Sequence, residues 1–439
     1  MKVIHTGDVI FEKEFNRIKD RGGVVDERLK DIVRKILDDV AKRGDAALFE
    51  YTEKFDEISL NADTVEVKPG EREEAIECLD AGDLETLEFA ARRIEKFHRK
   101  QLINSWWDCE EEGIKLGQMV IPLNSVGIYA PGGLAPYPST VLMATIPAKI
   151  AGVPEIILVT PPKDGRVNPL VLAAAKLGGV DRIFKIGGAQ AVAALAYGTE
   201  SVPQVDKIVG PGNVYVATAK GMVYGKVGID MMAGPSEVLI ISDGTADPSV
   251  VAADLLSQAE HDEMASAILL TPSQEFAMKV VSEVDEQLKG LPRESIATKS
   301  IENFGVVIVT RDMDETTRLS NRFAPEHLQL MVENPEQLLE KIKNAGAVFL
   351  GYSTPEVLGD YMAGPNHILP TGGTARFSSP LGVYDFVKRT SVLSFSHESL
   401  QRYGNKAVRF AGMEGLDAHG KSIEIRLKAK GKRGRATSL

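Results

Sequence analysis

The sequence predicts an α/β protein built on two parallel-sheet units. From about residue 120 onward, short β-branched runs of four to eight residues alternate with Ala-rich stretches. Most runs are followed by a helix signal, and this alternation is typical of βαβ units in a parallel sheet. The runs form two clusters, at roughly 122–238 and 239–350, so we expect one parallel-sheet unit from each. In chain order they read SVGIYA, EIILVT, RIFKIGG and DKIVG, then EVLIIS, AILLT and GVVIVT.

The chain on either side of these clusters predicts helices. Residues 24–105 are strongly charged, and the stretch RLKDIVRKILDDVAKRG has the i, i+3, i+4 apolar spacing of a helix that ends at Gly44. After about residue 380 the periodicity weakens, and 391–439 is typical of a small helical appendage. We therefore expect a helical N-terminal segment and a small C-terminal helical tail.

Composition and charge are those of an ordinary soluble globular protein. The chain has 439 residues, 44% of them hydrophobic and 26% charged, so its length predicts two to four domains and a large core. The formal net charge of -11 argues against nucleic acid or an anionic membrane as the main partner. The longest apolar region, 139–160, is broken by Pro147, Lys149 and Pro154, so it predicts no membrane span.

Cysteine usage and the N-terminus favour the cytoplasm. The two cysteines, Cys78 and Cys109, lie in Glu-rich surroundings without metal-type spacing, so we expect no disulfide framework and a reducing compartment. The N-terminal stretch MKVIHTGDVIFEKEF has no apolar segment of signal-peptide length. The basic stretch KAKGKRGRATSL at the other end is expected to be a solvated chain terminus.

Three glycine-bearing loops follow strand-like runs in the first unit. They are IYAPGGLAPYPS (128–139), IGGAQA (186–191) and VGPGNVYVATAK (209–220). Ligands of an open parallel sheet bind beyond the carboxyl ends of the strands, where helix N-termini and bare glycine backbone favour anions. None of the loops matches G-x-G-x-x-G, so structural turns and nucleotide contacts both stay open. The side chains that accompany the glycines, Tyr129, Gln190 and Asn213, favour a nucleotide.

The segment LLSQAEHDE (255–263) belongs to a helix that predicts a polar patch in the interior. This helix is expected to begin at Asp247, which suits an N-cap and is followed by proline. The residues that share one face at 3.6-residue spacing are Val251, Leu255, Gln258 and His261. Buried polar atoms are costly without partners, so the polar end of this face needs backbone, water or a metal ion.

The histidines and their acidic neighbours supply further candidates. Glu326 and His327 follow Pro325, and a loop after proline can present both side chains to one pocket, where acid and imidazole divide proton transfer near neutral pH. A lone histidine near an apolar run is more often a hydrogen-bonded core residue. A ligand set with two oxygen and two nitrogen donors, which suits zinc, would consist of Gln258, His261, Asp360 and His419. Of these, only the pair three residues apart on a helix has local geometry behind it.

The chain resembles the L-histidinol dehydrogenase family from about residue 104 to about residue 427, whereas the N-terminal hundred residues are less distinctive. The stretches that carry the resemblance are GIYAPGG, IPAKIAGVPEIILVTPP, IGGAQAVAALAYGT, VDKIVGPGNVYVATAK, DMMAGPSEVLII, VAADLLSQAEHDE, APEHLQL, HILPTGGTARFSSPLGVYDFVKRTS and EGLDAHGKSIEIR.

This resemblance implies a zinc- and NAD-dependent enzyme that works as an intertwined homodimer. It would oxidise L-histidinol through L-histidinaldehyde to L-histidine, the last step of histidine biosynthesis, with one zinc ion per subunit. Its two units would be Rossmann-like but incomplete, since G-x-G-x-x-G is absent. The expected domains are an N-terminal arm at 1–23, an α/β domain with the metal and catalytic residues at 24–121 plus 239–380, an NAD-binding Rossmann-like domain at 122–238, and a dimerisation tail at 381–439.

The resemblance also implies roles for individual residues. The metal ligands would be Gln258, His261, Asp360 and His419. The substrate would contact Ser236, His327 and Glu414 besides the metal ligands, and NAD would contact Tyr129, Gln190 and Asn213. Zinc would hold the nitrogen groups of the substrate, while His327 would take the alcohol proton and Glu326 would activate water.

Two other functions compete with this interpretation. A related zinc- and NAD-dependent dehydrogenase could act on another small alcohol, such as a sulfonated diol, but TGGTARFSSPLGVYDFVKRTS and Glu414, which suits a cationic amino group, favour histidinol. A non-catalytic metal- or nucleotide-binding homologue should have lost Glu326 or His327, and this chain has both. A covalent thiol route is not expected, because both cysteines lie in acidic surroundings that disfavour a thiolate.

Overall fold

The computed structural model describes residues 1–21, 27–132, 136–232 and 234–429. The centre of the first glycine loop and the last ten residues of the basic C-terminal stretch lie outside the described residues. The strands are β1 Lys2–His5, β2 Trp106–Asp108, β3 Ile114–Pro122, β4 Ser125–Tyr129, β5 Glu155–Val159, β6 Arg182–Phe184, β7 Lys207–Val209, β8 Gly228–Ile229, β9 Glu237–Ser242, β10 Ser266–Thr271, β11 Val306–Val309, β12 His327–Met331, β13 Ala347–Leu350 and β14 Val387–Phe395.

Helices separate most of these strands. They are α1 Phe11–Lys19, α2 Glu27–Arg43, α3 Asp45–Asp56, α4 Pro69–Glu77, α5 Ala81–His98, α6 Pro138–Ala151, α7 Pro169–Gly178, α8 Gly188–Tyr197, α9 Val214–Val223, α10 Pro248–Ala259, α11 Gln274–Gln287, α12 Glu294–Phe304, α13 Met313–Phe323, α14 Pro335–Leu339, α15 Glu356–Tyr361, α16 His397–Met413 and α17 Asp417–Lys428. In the part of the chain that the structure describes, no helix has both the length and the apolar character needed to cross a membrane.

Two parallel sheets confirm the predicted fold class. The first sheet has five strands in the order β6-β5-β4-β7-β8, and the second has six in the order β1-β11-β10-β9-β12-β13. All seven predicted strand runs are present, and every pairing within these two sheets is parallel. The sequence did not indicate β1, which pairs with β11 at one edge of the six-stranded sheet. It also did not indicate β12, although this strand begins at His327.

Continuous apolar runs explain why the six-stranded sheet is covered on both faces. Val238 and Ile240 of β9 belong to one core, which they share with α10, α11 and α12. Leu239 and Ile241 point the other way and belong to a second core with α1 and α13. Alternate side chains of a strand face opposite sides, so a strand buried on both faces must be apolar throughout. A charged residue at the start of such a strand, as Glu237 is, therefore needs a partner.

The N-terminal helices pack against the five-stranded sheet. Val33 and Val40 of α2 and Leu48 of α3 lie in one core with Ile157 of β5 and Ala191 of α8. The sequence did not indicate this packing, because the periodicity of α2 shows which face is buried but not what covers it. The domain limits expected from the sequence stay a prediction.

A second compact unit consists of residues 103–122 and 387–439. Its antiparallel sheet has the order β14-β3-β2, and β14 pairs with β3 from Val387 opposite Pro122 to Phe395 opposite Ile114. Helices α16 and α17 pack on each other and agree with the predicted helical tail. Strand β14, which precedes them, was not indicated by the sequence.

Candidate active site

The site at the start of β9 and β12 joins two carboxyl groups through backbone hydrogen bonds. The backbone N–H of Glu237 donates to Oε2 of Glu326 at 2.9 Å, and the N–H of Glu326 donates to Oε1 of Glu237 at 3.2 Å. Both side chains are buried, and the two strands are hydrogen-bonded neighbours in the sheet. The reciprocal bonds therefore fix Glu326 at the amino edge of the six-stranded sheet.

His327 is held in one tautomer. Its Nδ1 lies 3.1 Å from the backbone carbonyl oxygen of Glu237, which can only accept, so in the neutral ring Nδ1 carries the proton. Burial lowers the pKa of His327 to about 4, against the opposing effects of the Asp360 carboxylate and the hydrogen bond to the Glu237 backbone. The ring is therefore neutral at pH 7. Nε2 keeps its lone pair, is buried, and has no hydrogen-bond partner within the described ranges, so it is the atom that can accept a proton.

The sequence placed Glu326 and His327 together in a loop, and this detail is wrong for His327. The residue is the first of β12, and only Glu326 lies in the turn before the strand. Glu326 Oε2 nevertheless lies 3.7 Å from His327 Nδ1, so the two groups share a pocket as expected. Burial, followed by the neighbouring carboxyl of Glu237, raises the pKa of Glu326 well above its usual range, which makes its carboxylate a stronger base.

Gln258 is a buried amide without a partner. Helix α10 begins after Asp247, as the sequence predicted, and Oδ1 of Asp247 accepts from the N–H of Ser249 at 2.9 Å. The helix ends at Ala259, so the expected place of His261 on its polar face is wrong, and His261 lies exposed in the turn after the helix. Gln258 is 0% exposed, and neither Oε1 nor Nε2 has a hydrogen-bond partner among the residues that the structure describes. An unpaired buried amide costs ~1–3 kcal/mol, so this side chain indicates a missing ligand. The backbone N–H of His261 donates to the carbonyl oxygen of Gln258 at 3.2 Å.

Helix α15 supplies an acidic pair to the same pocket. Asp360 Oδ1 lies 3.9 Å from Nε2 of His327, and Glu356 Oε1 lies 3.4 Å from Nδ1 of His327. One ligand atom from each of these three residues lies within 4.8 Å of the others, a spacing that could hold a metal ion. Glu356 was not predicted. Its spacing of four residues from Asp360, which places both on one face of a helix, was the available signal.

Ser236 lies at the same edge, immediately before β9. Its carbonyl oxygen accepts from the N–H of Ser266 at 3.1 Å and from Nη2 of Arg21 at 3.0 Å. Sequence analysis missed both Arg21 and Glu237. Glu237 heads the apolar run EVLIIS, and a charge at the start of a buried strand was the signal that could have found it.

The predicted nucleotide residues lie at the carboxyl edge of the five-stranded sheet. Tyr129 ends β4, and its hydroxyl accepts from the N–H of Gly188 at 3.1 Å, while burial raises its pKa to about 12. Gln190 is buried near the start of α8, and its Oε1 has no hydrogen-bond partner in the part of the chain that the structure describes. Asn213 caps α9 by accepting at Oδ1 from the N–H groups of Tyr215 and Val216, so it also has a structural role.

A buried ion pair fixes the loop between β7 and α9. Gly210 has φ +110°, and a Cβ there would lie 2.2 Å from the carbonyl oxygen of Tyr129, so only glycine fits. Lys220 Nζ donates to the Gly210 carbonyl at 2.8 Å, and Asp230 Oδ2 accepts from the Gly210 N–H at 2.8 Å. Lys220 and Asp230 also pair with each other, and both are buried. The glycine loop is therefore rigid next to Tyr129.

The two remaining predicted residues lie in the second unit. Glu414 is the C-cap of α16, and His419 is the third residue of α17. Both are exposed on the surface of the single chain.

Comparisons with known proteins identify the family. A sequence model described as histidinol dehydrogenase matches residues 19–427. The chain is 55% identical to the histidinol dehydrogenase of Syntrophotalea carbinolica over 98% of this chain and 99% of the relative, and 54% identical to that of Geobacter metallireducens over the same shares. The crystal structure of histidinol dehydrogenase from Elizabethkingia anophelis matches with a TM-score of 0.91 at 40% identity and covers 98% of both chains.

An α/β fold with a buried acid–imidazole pair and relatives of this kind defines an oxidoreductase. Within that class, the chain belongs to the histidinol dehydrogenase family. The alternative expected from the sequence, a dehydrogenase of another small alcohol such as a sulfonated diol, is not supported by these relatives.

Asp56 gives the predicted nucleotide site a pH dependence. It ends α3, and its Oδ2 lies 3.5 Å from Nε2 of Gln190; burial raises its pKa from 3.8 to about 6. The folded protein therefore binds more protons than the unfolded chain between about pH 4 and 6, and the stability from Asp56 is lost as pH rises through this window. We expect Asp56→Asn to raise the melting temperature at pH 8 more than at pH 5. The exposed control, Asp38→Asn, should show no such difference.

The melting temperatures of both variants and the wild type are measured from pH 5 to pH 8. A gain for Asp56→Asn that is the same at pH 5 and pH 8, or no gain at either, would contradict the cost assigned to the ionised carboxylate.

Proposed function

We propose that this chain oxidises L-histidinol through L-histidinaldehyde to L-histidine, with two NAD as hydride acceptors and one zinc ion per subunit. The family supports the substrate, because all the relatives named above are histidinol dehydrogenases. The single structural observation that carries the proposal is the buried amide of Gln258, since neither of its polar atoms has a partner in the described part of the chain. A ligand that satisfies this amide completes the site.

The donors proposed for zinc suit the ion in their chemistry. Gln258 and Asp360 offer oxygen atoms, while His261 and His419 offer imidazole nitrogens, and zinc accepts both kinds. When bound, zinc supplies a fixed positive charge that anchors the nitrogen groups of the substrate. Asp360 also lies near His327 and Glu356, which together form a second possible donor set. We assign His327 to proton transfer because its neutral ring leaves Nε2 as a free base.

The chain's own residues then divide the proton transfers. In the first half-reaction, His327 Nε2 takes the hydroxyl proton of the alcohol while the carbon loses a hydride to the nicotinamide, giving the aldehyde. In the second, Glu326 takes a proton from water as its oxygen adds to the aldehyde carbon, and His327 returns its proton to the former carbonyl oxygen. The resulting hydrate loses a second hydride and two protons, one to His327 and one to solvent, giving the carboxylate. Alignment and proton transfer come from the protein, and the electrons leave on NAD.

The carboxyl edge of the five-stranded sheet is the proposed NAD site. Gln190 Oε1 is buried without a partner, so a hydroxyl of the nucleotide can donate to it. Tyr129 offers a ring at the end of β4, and the rigid loop at Gly210 lets the cofactor approach bare backbone. Asn213 begins α9 at the third glycine loop. Ser236 and Glu414 are the proposed further substrate contacts, with Glu414 suited to an amino group.

Homodimer formation is supported by the surface of the second unit. On the single chain its large apolar side chains are exposed, and those of Leu393, Phe410, Met413 and Ile425 are each more than half exposed. We infer that these side chains form part of an apolar surface of the kind that marks protein interfaces. We propose that the tail of one subunit brings Glu414 and His419 to the site of its partner. The cytoplasm suits this enzyme, because Cys78 and Cys109 are both exposed and unpaired.

The ratio of NADH formed to L-histidinol consumed tests whether both oxidations occur in one site. Because Glu326 and His327 share one pocket, both oxidations should occur before release, so each L-histidinol consumed should yield two NADH with little free aldehyde. Absorbance of NADH measured beside chromatographic assay of histidinol, aldehyde and histidine tests this. One NADH per alcohol with accumulating aldehyde would overturn the two-step proposal.

Mixing two inactive variants tests which subunit supplies His419, the fourth proposed metal ligand. His261→Ala and His419→Ala should each be inactive, but a mixture that exchanges subunits should regain activity. If His419 binds the metal of the partner subunit, a mixed dimer has both substitutions in one site and neither in the other. About half of the sites in mixed dimers should then be active. Tags of different size would show that mixed dimers have formed. Mixed dimers without activity would show that His419 serves its own chain.

A further inference from the structure

Arg21 is a buried cation whose hydrogen-bonding capacity is fully used. Its side chain is 2% exposed, and it follows α1 near the start of the chain. A guanidinium has five N–H donors, and here each has an acceptor at 2.8 to 3.1 Å. The acceptors are Oε2 of Glu237 and the backbone carbonyls of Ile18, Met264, Pro235 and Ser236.

Three of these acceptors are consecutive residues, the two of the turn before β9 and the first residue of β9 itself. Pro235 and Ser236 accept through backbone oxygens, and Glu237 accepts through its carboxylate at 2.8 Å. The turn connects the proposed substrate contact Ser236 to the strand that pairs with β12. Arg21, which is 215 residues away in sequence from Ser236, therefore determines the position of this turn.

Glu237 transmits this order to Glu326. One carboxylate oxygen of Glu237 binds Arg21, and the other accepts from the N–H groups of Glu326 at 3.2 Å and Gly372 at 3.1 Å. The N–H of Glu237 in turn donates to Glu326 Oε2 at 2.9 Å. Glu237 is 0% exposed, so without Arg21 it would be a buried charge without a cation, directly beside a second carboxyl group.

We propose that Arg21 is a positioning residue for Glu326, acting through Glu237 and the turn at Ser236. The guanidinium keeps the carboxylate of Glu237 in place, and the backbone of Glu237 then aims the carboxyl of Glu326 at the water that adds to the aldehyde. This inference rests on the proposed function, because it takes Glu326 as the group that activates water. A purely structural ion pair would stabilise the fold without favouring either half-reaction.

The experiment separates the two half-reactions in the full-length protein. L-histidinol and L-histidinaldehyde are supplied separately to the wild type, Arg21→Ala, Arg21→Lys and Glu326→Gln. We expect kcat for aldehyde oxidation to fall roughly 100-fold in Arg21→Ala, the loss that a misplacement of about 1 Å can cause. The KM for the aldehyde and the rate of alcohol oxidation should change much less. Arg21→Lys should recover only part of the rate, because lysine keeps the charge but not the five-donor geometry.

Chemical rescue and matched controls sharpen the test. Millimolar guanidinium should restore aldehyde oxidation to Arg21→Ala but not to Glu326→Gln, since only the first variant lacks the cation. Arg17→Ala is the control, because Arg17 lies on α1, four residues before Arg21, but pairs with Glu14 at the surface. It should retain both half-reactions.

Three outcomes would overturn the inference. They are equal losses in both half-reactions, activity that follows only the amount of folded protein, and an absence of guanidinium rescue. If Arg21→Ala does not fold, Arg21→Lys carries the same comparison of half-reactions. A wild type that does not oxidise L-histidinol would refute the proposed function itself, which distinguishes that failure from failure of the role given to Arg21.

Discussion

The burial of polar side chains at the amino edge of the six-stranded sheet is the constraint on which the rest of the site depends. Four polar side chains are buried there, those of Glu237, Glu326, His327 and Gln258. Burial of this kind is costly unless each group finds a partner. The protein supplies some partners itself: Arg21 for one carboxylate, and a backbone carbonyl for Nδ1 of the histidine. It leaves the amide of Gln258 and Nε2 of His327 without one.

The pattern of satisfied and unsatisfied groups explains how one pocket can hold two kinds of chemistry. Groups that hold the backbone of the site in place are hydrogen-bonded to other residues of the chain, as in the reciprocal hydrogen bonds of Glu237 and Glu326. The amide of Gln258, which would meet a ligand, and Nε2 of His327, which would exchange a proton, have no hydrogen-bond partner among the described residues. The same division appears at the five-stranded sheet, where Lys220 and Asp230 are paired with each other and with Gly210, while Gln190 keeps a free carbonyl oxygen. Preorganised donors and acceptors need no rearrangement when the substrate arrives.

The candidate residues lie at the carboxyl edge of the five-stranded sheet but at the amino edge of the six-stranded sheet. Tyr129 and the glycine loops follow the carboxyl ends of β4, β6 and β7, where parallel sheets ordinarily bind ligands. Glu326 and His327 instead stand at the start of β12, and Ser236 stands before β9. The rule about carboxyl ends therefore predicts the proposed nucleotide loops but not the proposed proton-transfer pair, which was inferred from the chemistry of adjacent acid and imidazole.

Local patterns account for what could be predicted from the sequence. The 3.6-residue period of α10 revealed Gln258, because a polar residue on an apolar stripe is visible without any knowledge of the fold. The β-branched runs revealed the central strands of both sheets. Arg21 and Glu237 could not be found this way, since their meaning depends on a contact between residues 216 positions apart. The packing of α2 on the five-stranded sheet was hidden for the same reason. Glu356 was missed although its spacing from Asp360 was visible.

The most direct test of the account is the stability of Gln258→Met with and without zinc. Methionine keeps the unbranched shape but removes both unpaired polar atoms, which cost ~1–3 kcal/mol when buried. In chelator, the variant should melt at the same temperature as the wild type or above it. Added zinc should raise the melting temperature of the wild type by much more than that of the variant. A variant that is clearly less stable in chelator, or that gains as much from zinc as the wild type, would contradict the claim that this amide faces a metal ligand.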